Sequence, residues 1–131
     1  MKNYQFLIEK AKAAQRNSYA PYSLFNVGAA LLTRDGEVYT GCNIENASYG
    51  ATICAERVAF GNAINDSERD FAAIAIVGGK GFTSECEAIP CGVCLQVMSE
   101  FCGENFEIVL CKGEEIKIYK LSELLPHRFN L

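Results

Sequence analysis

No run of apolar residues in this 131-residue chain approaches the roughly 20 needed to cross a bilayer; the longest are Phe71 to Gly79 and Gly28 to Leu32. A membrane partner is therefore not expected. The opening residues, Met1-Lys2-Asn3-Tyr4-Gln5, carry no apolar segment ahead of a small-residue cleavage site. No secretory signal is expected, and the cytoplasm is the default compartment. Positive charge is scarce and dispersed: the net charge is −4, and no cluster of Lys and Arg occurs. Gripping a phosphate backbone needs such clusters to release counterions, which disfavours a nucleic-acid partner. Charged residues make up 21% of the chain, below the usual share of about a quarter. That leaves less polar coating than a lone small domain carries, and it points toward subunit contacts. Repeats, low-complexity tracts and linkers are also missing, so one domain spanning 1–131 is expected.

What is present is an apolar majority. Half the residues are hydrophobic, with eight Phe and six Tyr, enough for a packed interior without disulfide staples. The cysteines number seven: Cys42, Cys54, Cys86, Cys91, Cys94, Cys102 and Cys111. In a reducing compartment, clustered thiols point to metal binding or catalysis before disulfides, and the remainder pack as small apolar residues.

Tyr4, Leu7, Ile8, Ala11 and Ala14 follow helical spacing, giving a first helix that ends before Asn17. Ser18 to Ser23 reads as a loop around Pro21. Strands over Val27–Thr33 and Glu37–Gly41 flank Asp35-Gly36, a hairpin signal. Asn43 to Thr52 is an irregular polar loop, followed by a helix from about Cys54 to Ile64. The apolar run Phe71–Val77 predicts a strand covered on both faces, ended by Gly78-Gly79-Lys80-Gly81. A third helix is expected from near Pro90 to Phe101, then strands over Phe106–Cys111 and Glu115–Tyr119, and a short helix from Leu121. Strands alternating with helices after an opening hairpin imply an α/β fold, its sheet sandwiched between helices with some parallel pairing.

Pro90-Cys91-Gly92-Val93-Cys94 places a C-x-x-C pair at a helix start. Alone it fits a redox dithiol, half a zinc site, or two core cysteines. The metal reading gains from Cys54-Ala55-Glu56 at another helix start, 37 residues upstream of Cys91. Helix N-termini stabilise anions, and thiolates are the species that bind zinc. Three ligands leave one tetrahedral position for water, the mark of a catalytic site. His127, the only histidine, sits in the tail, so no fourth ligand is evident. The alternatives are a closed four-cysteine site recruiting Cys86 or Cys42, and buried free thiols. Glu56 is placed to reach over the open position and move protons. As a bare sequence feature, an arbitrary glutamate at a helix start reads better as a solvated first-turn carboxylate facing the helix dipole.

At these residues the chain resembles the cytidine deaminase family, in its small homotetrameric nucleoside form. The motif there is a ligand-x-Glu followed by Pro-Cys-x-x-Cys. Here it is Cys54-Ala55-Glu56-Arg57 with Pro90-Cys91-Gly92-Val93-Cys94, Cys54 standing where some members have His. The likeness extends to Tyr19-Ala20-Pro21-Tyr22-Ser23, to Val27 through Leu32, to Gly41 through Gly50, and to Leu124-Leu125-Pro126 with Phe129.

The resemblance implies a three-layer α/β/α sandwich with a five-stranded mixed sheet. It implies one Zn2+ per chain held by Cys54, Cys91 and Cys94, with Glu56 as the catalytic proton carrier. The reaction would be hydrolytic deamination of cytidine and deoxycytidine to uridine and deoxyuridine. Asn43 and Glu45 match positions that bind the ribose, Phe25 one that packs on the nucleoside, and Ala55 a further substrate contact. Ala47, Tyr49 and Phe129 match positions that reach a neighbouring subunit's site in a homotetramer. Without the family, Asn43 and Glu45 read as turn residues and Phe129 as a tail anchor.

The chain departs from the family at two places. Leu95 stands where Arg is frequent, and His127-Arg128 replace smaller residues before Phe129. Three thiolates on zinc carry a formal −1, so a nearby cation is needed; Arg57 is the remaining candidate, donating to the ligand sulfurs. Three competing readings stand beside the nucleoside enzyme: a polynucleotide deaminase, a deaminase of a nucleoside antibiotic, and a zinc-stabilised module without catalysis. The first lacks its basic strip, the second would not be expected to keep Asn43-Ile44-Glu45, and the third requires a closed metal site.

Overall fold

The computed structural model describes residues 3–131. Helix α1 (Gln5–Gln15) is followed by the hairpin β1 (Phe25–Thr33) and β2 (Val38–Cys42), then α2 (Ala55–Asn65) and β3 (Phe71–Lys80). The chain continues through α3 (Gly92–Phe101), β4 (Glu107–Lys112), β5 (Glu115–Lys120) and the short α4 (Leu121–Leu124). The strands form one mixed sheet in the order β2-β1-β3-β4-β5. Only β3 and β4 run parallel; the other neighbouring pairs are antiparallel. Among the described residues, no helix is long and apolar enough to cross a membrane.

Alternation along the strands divides the core in two. Ala29, Leu31, Ile74, Ile76, Ile108 and Leu110 face α2 and α3, where Ala59, Phe60, Leu95 and Met98 close over them. The alternate residues Ala30, Ala73, Ala75, Val77 and Val109 face Leu7, Ile8 and Ala11 of α1. A period of two in the strands, set against helical spacing in α1, builds three layers from one sheet. This is the α/β/α sandwich with a five-stranded mixed sheet that the sequence suggests.

Two glycines let helices lie directly on the sheet. A Cβ on Gly28 would stand 2.0 Å from the Ala11 carbonyl oxygen, and one on Gly41 would stand 2.5 Å from the Ala55 oxygen and the Ala59 nitrogen. Gln15 then ties the layers together: its buried amide donates to the Asn26 carbonyl at 2.9 Å and to the Thr83 carbonyl at 2.6 Å.

The hairpin turns at Gly36, with φ +99. The third strand is longer than its apolar run suggests. Gly78 and Gly79 do not end it; they pair with Val27 and Asn26 of β1. Glycine serves there because the following loop folds back on the strand. A Cβ on Gly79 would meet Thr83 Oγ1 at 2.2 Å, and one on Gly78 would meet the Ala88 Cβ at 2.9 Å. The chain leaves the sheet only at Gly81, at φ +65.

Gly41 and Gly61 make opposite predictions from one geometry. Gly41→Ala forces Cβ into backbone at the start of α2 and should cost about 2 kcal/mol or more. Gly61, inside α2 with open space around it, should gain about 0.5–1 kcal/mol on substitution by Ala. Urea unfolding midpoints of the two variants should move in opposite directions.

Candidate active site

Cys54 is the N-cap of α2 and Cys91 the N-cap of α3, both with extended backbone. Neither sulfur makes a capping hydrogen bond to its own helix, so both stay available to a shared centre. Cys94 lies one turn into α3, buried. The three Sγ atoms lie within 4.8 Å of one another, and Cys54 and Cys91 are 3.9 Å apart. Tetrahedral coordination with Zn–S near 2.3 Å puts sulfurs about 3.8 Å apart, so this donor set fits zinc in spacing as well as in softness. Among the described residues the cluster stops at three; Cys42, Cys86 and His127 are not part of it.

The electrostatics favour an anionic sulfur at Cys54. The Cys54 thiol is pulled down to about 5, first by its hydrogen bond with Cys94 and then by Arg57 and Cys91, against the opposing effect of burial. Cys94 is pushed upward by the same sulfur contact and by burial. Arg57 Nη2 donates to Cys54 Sγ at 3.4 Å. Its buried Nε has no hydrogen-bond partner among the described residues. The guanidinium pKa is raised, first through the Cys54 contact. Leu95, by contrast, packs into the core under α3.

Beside the thiols opens a cavity of about 320 Å3, walled by Phe25, Asn43, Glu45, Ala55, Glu56 and Cys91 among others. This is the scale of a small-molecule site. Glu56 is only 5% exposed and its carboxyl is pushed up to about 7, chiefly by burial. It can therefore both hold and release a proton near neutrality.

Asn43 acts as a side-chain rung on β1. Its Nδ2 donates to the Phe25 carbonyl at 2.8 Å, and its Oδ1 accepts from the Val27 amide at 2.9 Å. Glu45 accepts from the Tyr22 and Ser23 amides at 3.0 and 3.1 Å, and from Ser23 Oγ at 2.5 Å. These bonds, led by the Ser23 hydroxyl, hold its carboxyl below the usual range.

The structure thus gathers the three cysteines, Glu56, Arg57, Phe25, Asn43, Glu45 and Ala55 in one place. It does not bring Ala47, Tyr49 or Phe129 to this cavity. Tyr49 is 86% exposed and lines an adjoining cleft with Tyr22, Asn46 and Thr52. Phe129 is 65% exposed, its carbonyl accepting from Gln96 Nε2 at 3.2 Å. Sequence reasoning missed Ser23, Val27, Thr52, Ile53 and Ile89 as wall residues. Ile89 is left exposed directly before Pro90-Cys91, a placement that only the folded chain reveals.

Comparison with known proteins places this geometry. The model of the cytidine and deoxycytidylate deaminase zinc-binding region matches residues 1–110. The chain is 45% identical over 126 residues to a cytidine deaminase of Sporosarcina psychrophila, covering 95% of this chain and 89% of that protein. A cytidine deaminase of Halalkalibacterium halodurans is 46% identical, covering 95% and 92%. The crystal structure of cytidine deaminase from Burkholderia pseudomallei superposes with a TM-score of 0.89 at 46% identity, covering 98% of this chain and all of that one. The chain belongs to the cytidine and deoxycytidylate deaminase family.

Proposed function

We propose that the chain is a zinc-dependent hydrolase that deaminates free cytidine and deoxycytidine to uridine and deoxyuridine. The observation that carries the reading is a buried carboxyl, Glu56, on the wall of a nucleoside-sized cavity beside three convergent thiols. Cys54, Cys91 and Cys94 would hold one zinc, which supplies a Lewis acid that lowers the pKa of water. Glu56 takes a proton from the attacking water and passes protons to ring N3 and to the departing amine. Water adds at C4, the C4–N bond breaks, and nitrogen leaves as ammonia. Phe25 packs on the nucleoside, Ala55 contacts it, and Asn43 with Glu45 binds the ribose and keeps C4 in place. Positioning of this kind can lower a barrier by roughly 7 kcal/mol or more in ideal cases.

The retained Asn43 and Glu45 support an ordinary nucleoside over an antibiotic analogue, and a cluster of three thiols supports an open metal site over a closed structural one. The outward rings of Tyr49 and Phe129 support a homotetramer in which these residues and Ala47 complete a neighbour's site. Light scattering should return four times the 14.4 kDa chain mass; a monomer would remove that part of the reading.

Glu56→Gln should keep one zinc per chain and the native circular dichroism while losing about 10²- to 10⁴-fold in cytidine turnover, followed by ultraviolet absorbance. Retained turnover would overturn the assignment. Arg57→Gln should surrender zinc to a colorimetric chelator about tenfold more readily, the scale typical of partners behind metal ligands. Removing the zinc with a chelator should abolish activity, and adding it back should restore activity.

A further inference from the structure

One edge of the cavity rests on a backbone conformation that leucine avoids. Leu24 has φ +60, and its side chain is 61% exposed, so burial of that side chain does not hold it there. The left-handed region is costly for a residue with a Cβ and persists where surrounding bonds over-determine it. Here those bonds centre on Ser23. Its hydroxyl donates to Glu45 Oε2 at 2.5 Å and accepts from the Phe25 amide at 3.0 Å. The amide can only donate, so the single hydroxyl proton is committed to the carboxylate. The Tyr22 and Ser23 amides fasten the other carboxylate oxygen at 3.0 and 3.1 Å, and the Leu24 amide closes the turn on the Ala20 carbonyl at 3.0 Å.

Phe25 and Glu45 come from different parts of the chain, a strand start and a loop, yet both line the cavity. Among the described residues, Ser23 is the one side chain bonded both to the Glu45 carboxylate and to the Phe25 amide. We propose that Ser23 is a positioning residue for nucleoside recognition, its hydroxyl locking the ribose-reading carboxylate of Glu45 and the packing ring of Phe25 into one arrangement before substrate arrives. The inference rests on the nucleoside reading above. Preorganisation of this kind spares the substrate the cost of ordering the site.

The test compares two substrates on the same enzyme sample, so the ratio is insensitive to how much of the sample is folded. Wild type should favour cytidine over 2′,3′-dideoxycytidine in kcat/KM, because the latter lacks the ring hydroxyls. In Ser23→Ala that preference should shrink about tenfold, the worth of one hydrogen bond to a charged group, through a higher KM for cytidine with kcat nearly unchanged. Ser23→Thr, which keeps the hydroxyl at an exposed position, should restore it. An unchanged preference in Ser23→Ala, or a Thr variant that behaves like Ala, would overturn the role of Ser23 and leave the nucleoside reading standing. A zinc-loaded wild type inert toward both substrates would overturn both.

Discussion

Three sulfur atoms within 4.8 Å of one another repel once they ionise, and the fold is arranged to make that repulsion tolerable. Two helices begin at the cluster, and each N-terminus presents unpaired N–H groups equivalent to about half a positive charge. Cys54 and Cys91 occupy the cap positions without spending their sulfurs on the caps. Arg57, one turn along α2, adds a full positive charge against Cys54. With a Leu at position 95 buried in the core, α3 brings no cation of its own to the cluster from that position. The charge balance of the site therefore leans on α2, and α2 is held by its close approach to Gly41 on β2. An edge-strand glycine and a thiolate cluster are parts of the same electrostatic arrangement.

The sugar end of the cavity is held differently. Where the thiols depend on helix dipoles, Asn43 and Glu45 depend on hydrogen bonds to backbone. Asn43 extends the β1–β2 ladder with its side chain, so β1 fixes its amide as it would a strand neighbour. Glu45 is held by the turn before β1. Both therefore refer to the start of β1, which Gln15 in turn ties to α1 and to the loop leading toward Cys91. A displacement of β1 would disturb both ends of the cavity together.

Much of this was legible from residue order. Apolar spacing in α1, the Asp35-Gly36 turn and the unbroken run in β3 each follow from local chemistry, and the elements lie where those signals put them. The end of β3 was misread because glycine usually breaks a strand; here the returning loop at Thr83 needs the space a side chain would fill, and only the folded chain reveals that. The two cysteine motifs were readable as metal-binding types, but spacing alone could not bring their helix starts to one point. Ser23 carried no signal as a wall residue. A serine after Pro-Tyr is an ordinary loop residue until Glu45, 22 positions later, comes within 2.5 Å.

The tail shows how a local departure can be absorbed without loss of order. Helix α3 ends at Phe101 without a left-handed cap: Cys102 continues in extended backbone and Gly103 has no positive φ, so the last carbonyls need outside donors. Arg128 supplies them: its Nη2 lies 2.7 Å from the Ser99 and Cys102 carbonyl oxygens, and its Nε lies 2.9 Å from Ser99 Oγ. A guanidinium at that end also opposes the negative pole of the helix. No small residue at position 128 could make these bonds, so Arg128 anchors the tail while the neighbouring Phe129 ring faces solvent. The helix that carries Cys94 near one end, with Cys91 as its N-cap, is thus fastened at the other end to the segment that follows α4.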